Sequence, residues 1–172
     1  PPPLAPPPPQ SVKEQVARLA DPLDVLQERP DGTHSWNSQM HLVLGTNASS
    51  YTLTGLRFSL DIPQGSTIIA SFLSFICVQA EPSPSIATQI QIMGEYTDDA
   101  LPFPTYQNEF GPSDFTLAAR TMIDRIETWP DAVCQAGEDL TSPDISHLIQ
   151  PVIARPGWAQ GRGHFNLRLN ST

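Results

Sequence analysis

Positive charge is what this chain has least of. One lysine, Lys13, and eight arginines stand against 18 acidic residues, for a net charge of −9. Nucleic acids and anionic membrane surfaces both demand clustered Lys and Arg, so neither is expected as a partner. Charged residues of both signs together make up only 16% of the chain, low for a soluble protein. No apolar run approaches the ~20 residues of a membrane span. Catalytic and metal-binding signatures are missing too. No serine or cysteine sits in a nucleophile motif such as GxSxG, and no cysteine or histidine pair has ligand spacing. Neither an enzyme activity, a metal nor a cofactor is expected. The four histidines, His34, His41, His147 and His164, read as surface or internally satisfied residues. A pairing of His147 with His164 across the chain stays open. No leader segment is visible, and a start at Pro1 without Met is expected of a processed or trimmed chain.

What the chain has in plenty is proline. Nineteen of its 172 residues are proline, seven of them within residues 1–9 (PPPLAPPPP). Such a stretch has too few free dihedrals and donors for helix or sheet and is expected as polyproline II. Ten residues would reach ~30 Å at ~3.1 Å each. The expected organisation is an arm over residues 1–11 and one domain over residues 12–172. A domain of this size can bury roughly two-thirds of its unfolded surface.

Beyond the arm, residues 11–20 (SVKEQVARLA) fit a helix capped by Ser11 and Glu14. They fit equally a strand with Gln15, Ala17 and Leu19 on one face. Residues 25–28 read as a short strand before the turn at Pro30, Asp31 and Gly32. Partial alternation over residues 34–44 puts Trp36, Met40, Leu42 and Leu44 on one face. Residues 51–60 carry Leu56, Phe58 and Leu60 inward. After the turn at residues 62–65, residues 66–80 (STIIASFLSFICVQA) read as one long strand. Further strands are expected over residues 86–96, 121–129 and 163–169, the last with Phe165, Leu167 and Leu169 inward. Seven or eight strands separated by turn signals predict an all-β antiparallel sandwich or jelly roll.

One helix is expected near the C-terminus. Ser142 is its expected N-cap, Pro143 its first residue, and Asp144 suits the positive end of its dipole. Ile145, Leu148, Ile149, Val152 and Ile153 form its apolar stripe. Pro151 would bend or shorten it, and Arg155, Pro156 and Gly157 end it.

Two blocks of sequence carry a resemblance. The first is Gly55-Leu56-Arg57-Phe58 followed by Ile62-Pro63-Gln64-Gly65-Ser66-Thr67-Ile68 and a long apolar strand. The second is Thr141-Ser142-Pro143-Asp144-Ile145 followed by Arg155-Pro156-Gly157-Trp158. Together they resemble a secreted β-sandwich module family of bacterial and algal surface proteins, similar to the DNRLRE-type jelly rolls. The likeness covers roughly residues 17–169. It implies a jelly-roll fold and an extracellular or cell-surface location, and no catalytic residues. The arm lies outside that pattern. In composition it resembles the hydroxyproline-rich spacers of algal and plant wall glycoproteins. In a secreted module the two cysteines, Cys77 and Cys134, suggest one disulfide, two separately buried thiols being the alternative. Sequons at Asn47-Ala48-Ser49 and Asn170-Ser171-Thr172 are candidate N-glycosylation sites in a eukaryotic source, so covalent glycans are expected partners.

The acid pairs Asp98-Asp99 and Glu138-Asp139 read as solvated loops. Calcium ligation by their oxygens or a glycosidase pair would need more than adjacency. A sugar platform needs an exposed aromatic ring. Trp36 and Trp129 sit in strand patterns and are expected in the core, which leaves Trp158, with Tyr51, Tyr96 and Tyr106 also available; packing of Trp158 against the helix end is the alternative to its exposure. The expected function is a non-catalytic structural subunit. It would assemble head-to-tail with copies of itself through an arm of Pro1, Pro2, Pro3, Leu4, Pro6, Pro7, Pro8 and Pro9. A carbohydrate-binding or adhesive module is the alternative.

Overall fold

The structure, a computed structural model, describes residues 12–19, 21, 24–29, 34–35, 42, 53–78, 89–103, 117–130, 132, 134–158 and 163–171. Its strands are β1 (Val25–Glu28), β2 (His34–Ser35), β3 (Leu53–Leu60), β4 (Ser74–Ile76), β5 (Ile90–Gly94), β6 (Glu127–Trp129), β7 (Asp139–Thr141) and β8 (Gly163–Ser171), with one α-helix among the described residues, α1 (Ser146–Ile153), and a 3-10 turn at Leu117–Ala119. Six strands form one antiparallel sheet in the order β2-β1-β3-β8-β5-β6, and β4 pairs with β7 in a separate antiparallel ribbon. The fold is all-β with one short helix, as the alternation predicts.

The central strand is β8, paired with β3 on one side and β5 on the other. Side chains alternate between faces along a strand. One face of the sheet therefore carries Val25, Leu56, Ile90, Ile92, Phe165, Leu167 and Leu169, all buried. The helix stripe Ile145, Leu148, Ile149, Val152 and Ile153 packs on this face, together with Leu73 and Phe75 of the β4 segment and Trp129. The Phe75 and Trp129 rings stack at 6.2 Å.

The opposite face is covered as well. Leu26, Phe103 and Leu117 form a second, smaller cluster there, joined by Leu53. Gly55 lies beneath them, where a Cβ would come within 2.6 Å of Phe103 Cζ. Ion pairs link the crossing chain to this face. Arg57 Nη1 donates to Asp24 Oδ1 at 2.9 Å, and Glu95 Oε2 accepts from Arg120 at 2.8 Å and from Asn166 at 2.6 Å.

Several expectations change. Of the strand expected over residues 121–129, Glu127–Trp129 pairs in the sheet and Met122 makes only an isolated bridge to Glu95. Residues 12–19 form neither helix nor strand, although Ala17 and Leu19 pack against the main core. The helix begins at Ser146, not Pro143. Ser142 is committed elsewhere: its hydroxyl accepts the Leu73 N–H at 2.9 Å and donates to the Pro143 carbonyl. The N-cap is Ile145, which has no side-chain cap bond, and Asp144 just before it accepts the Ser146 N–H at 2.9 Å. Finally, of the expected strand over 66–80, only residues 74–76 form a ladder among the described residues 66–78. The preceding stretch takes its partners from side chains on and before α1. Ile68 N–H donates to Gln150 Oε1 at 2.8 Å, Gln150 Nε2 donates to the Ser66 carbonyl at 2.9 Å, and Ser71 N–H donates to Asp144 Oδ1 at 2.9 Å.

Candidate functional site

The β4–β7 ribbon holds the features that the core does not use. Cys77, just beyond β4, is disulfide-linked to Cys134 across 57 residues of sequence, with a Cα–Cα distance of 6.2 Å. Backbone bonds brace the same end: Cys77 N–H donates to the Glu138 carbonyl at 2.9 Å, and Gly137 N–H donates to the Cys77 carbonyl at 2.7 Å. Gly137 has φ +87, a left-handed turn that glycine adopts without a Cβ penalty. Glu138, one of the expected solvated acids, accepts the Gln135 N–H at 2.9 Å and closes this turn.

Along the β4 segment the two faces differ sharply. Leu73 is buried and Phe75 packs against the core. The intervening residues point outward, leaving Phe72 57%, Ile76 71% and Val78 66% exposed. The backbone follows the same alternation. Ser71, Leu73 and Cys77 donate their N–H groups towards residues 138–144. Successive amides of an extended chain point to opposite sides, so those of Ala70, Phe72, Ser74 and Ile76 face away from β7. Among the described residues no strand pairs with that side. The result is an apolar row beside a strand edge that is open among the described residues, on a segment with no charged residue between Asp61 and Glu81. A row of this kind is legible in sequence: residues 66–80 are apolar on both alternating faces, and a strand with only one face in the core leaves the other to be covered.

A second cluster gathers around the loop after β5. Asp98 pairs with Arg155, whose guanidinium lies over the Tyr96 ring at 4.1 Å. The hydrogen bond that Arg155 donates to the Asp98 carboxylate raises the Arg155 pKa above its ordinary value. Asp99 Oδ1 is 2.8 Å from His164 Nδ1 and also accepts the His164 N–H at 3.0 Å. These two acids tie the loop to β8 and to the end of the helix. His147 meets Glu127 at 3.6 Å instead of His164. Among the described residues no group of three or more His, Cys, Asp or Glu side chains is arranged to hold a metal ion.

On the second sheet face, Glu95, Phe103, Leu117, Arg120, Asn166 and Arg168 border a cavity with room for about one water molecule. Burial pushes the Arg168 pKa below its usual value, and the charge of Glu28 opposes that shift.

Trp158 is not an exposed platform. It is 3% exposed, its indole N–H donates to the Ile62 carbonyl at 2.9 Å, and its ring covers Gly163, where any Cβ would collide with it. A buried indole of this kind gains both apolar burial and a partner for its N–H, which outweighs exposure. Tyr96 is about half exposed, but Arg155 occupies one face of its ring. Asn170 lies in β8 opposite Leu53 and Gln91, half-buried, with its amide 3.4 Å from Gln91 Oε1. The arm residues Pro1 to Pro9, Asn47, Trp36, Tyr51 and Tyr106 lie outside the described residues.

No helix among the described residues is long and apolar enough to cross a membrane. No protein-family model, no curated protein and no solved structure matches the chain.

Proposed function

We propose that this chain is a non-catalytic structural subunit of an extracellular filament or wall, which assembles head-to-tail with copies of itself. The observation that carries this reading is the exposed row of Phe72, Ile76 and Val78 beside an open strand edge. Large apolar side chains in a row on a strand edge favour association, because both their surface and the free amides gain from a partner. The Cys77–Cys134 disulfide suits an oxidising compartment. The likeness to secreted jelly-roll modules belongs to the same reading, as do an N-glycan on Asn47 and sugars on hydroxylated arm prolines.

Subunits of charge −9 repel one another at long range, so the attraction must be short-ranged and apolar. Sedimentation and electron microscopy of the full chain test this. Polymers are expected that grow with protein concentration and persist in ~1 M salt, where the screening length falls to ~3 Å. A chain that stays monomeric at all concentrations overturns the reading.

A further inference from the structure

The exposed row needs a cover, and the chain carries a segment of matching chemistry. We infer that residues 70–78 of one copy form the seat for the proline arm, residues 1–11, of the next. This rests on the assembly proposed above and names the contact that would drive it.

The hydrogen-bonding capacities match on the donor side of the edge, whose outward carbonyls stay with water. The seat has amides at Ala70, Phe72, Ser74 and Ile76 that face away from β7. The arm has a carbonyl at every residue, but no N–H at Pro2, Pro3, Pro6, Pro7, Pro8 or Pro9. It can accept from the edge and has almost nothing to donate onward. An ordinary strand added there would expose a fresh edge of its own and continue the sheet. A proline-rich segment ends it, so each seat takes one arm and the edge is closed.

The apolar surfaces and the lengths also agree. The arm's proline rings and Leu4 can pack across Phe72, Ile76 and Val78. Nine residues of extended chain span ~30 Å, and eleven residues of polyproline II span ~34 Å. Neither partner carries charge: none lies in residues 62–80 and none in residues 2–12. The contact therefore brings together parts of two acidic subunits without adding like-charge repulsion. Because each proline ring already restricts φ in the free chain, little conformational entropy is lost on binding.

A photo-crosslinking experiment on the full chain tests the seat. Leu4 is replaced by a benzophenone-bearing residue, and isotope-labelled and unlabelled copies are mixed, irradiated and peptide-mapped. Adducts are expected within residues 66–78, joining labelled to unlabelled copies. Ile76→Lys should cut their yield by about tenfold or more, because docking would bury an unpaired charge. Ile126→Lys, at another exposed position, should leave the yield unchanged. Adducts between copies that map elsewhere on the partner overturn the seat and leave the assembly standing. Adducts confined to single chains, or copies that do not associate, overturn both.

Discussion

The strand β8 and the segment over residues 66–78 are both apolar and extended, yet the fold treats them differently. β8 is laddered to β3 along Leu53–Leu60 and to β5 along Ile90–Gly94, and both of its faces are covered. The other segment has three laddered residues on one side and borrowed side-chain partners before them. Its outward face is open among the described residues. The difference teaches that apolar alternation states how much surface a segment offers, and pairing decides how much of it is used internally. β8 places its apolar side chains inside the core, and the β4 segment leaves Phe72, Ile76 and Val78 exposed.

The comparison breaks most easily at the disulfide, which pins the open segment. Replacing both Cys77 and Cys134 by serine should cost about 4 kcal/mol of stability, from the loop of this length that the bond closes. Denaturant unfolding of the variant, compared with the oxidised wild type, measures it. An unchanged midpoint would mean the ribbon does not need the pin.

A contrast between buried and open rows comes next. Leu167→Ala, at a fully packed position of β8, should lose about 3 kcal/mol. Ile76→Ala on the open row should shift stability by no more than about 0.5 kcal/mol. Similar losses for both would show that the row is covered within the chain, and the contrast drawn here would fail.

Gln150 tests the borrowed partners. Gln150→Met keeps the side-chain volume and removes the bonds to Ile68 N–H and the Ser66 carbonyl. A loss of about 1–2 kcal/mol is expected, with faster amide exchange at Ile68 than at β8 positions. Unaltered exchange at Ile68 would contradict this role.

The smallest effect is a pH dependence at Asp144. Two backbone bonds, from Ser71 first and Ser146 second, hold its pKa below the usual 3.8. A depressed native pKa means the carboxylate stabilises the fold fully above the unfolded value, and the contribution is lost as pH falls through the native one. Asp144→Asn should therefore flatten the stability profile below about pH 4. Parallel profiles for wild type and variant would remove Asp144 as a source of acid sensitivity.

Much of the strand pattern was legible because it is local. Leu56 and Leu60, Ile90 and Ile92, and Phe165, Leu167 and Leu169 are buried as period-two alternation requires. The helix stripe from Ile145 to Ile153 followed from a period of 3.6. The helix start did not, because Ser142 has a second use. A good N-cap residue is drawn to Leu73, 69 residues away, and the helix starts after Ile145 with Asp144 accepting the first helical N–H. Trp158 was misplaced for a related reason. A Pro-Gly-Trp turn reads as exposed until β8 brings Gly163 under the ring.

The sequence by itself determined the segments, their periods and the turns between them, since sterics and side-chain alternation act over a few residues. It also determined the charge balance and the chargeless stretches at residues 2–12 and 62–80. Only the tertiary structure decided which face of residues 66–78 is buried. Both faces are apolar, so local chemistry is indifferent between them. The choice was made by contacts far along the chain: Gln150 with Ile68, Asp144 with Ser71, and β7 with β4. Those bonds fix the register, and the register sends Leu73 and Phe75 inward and leaves Phe72 and Ile76 outside.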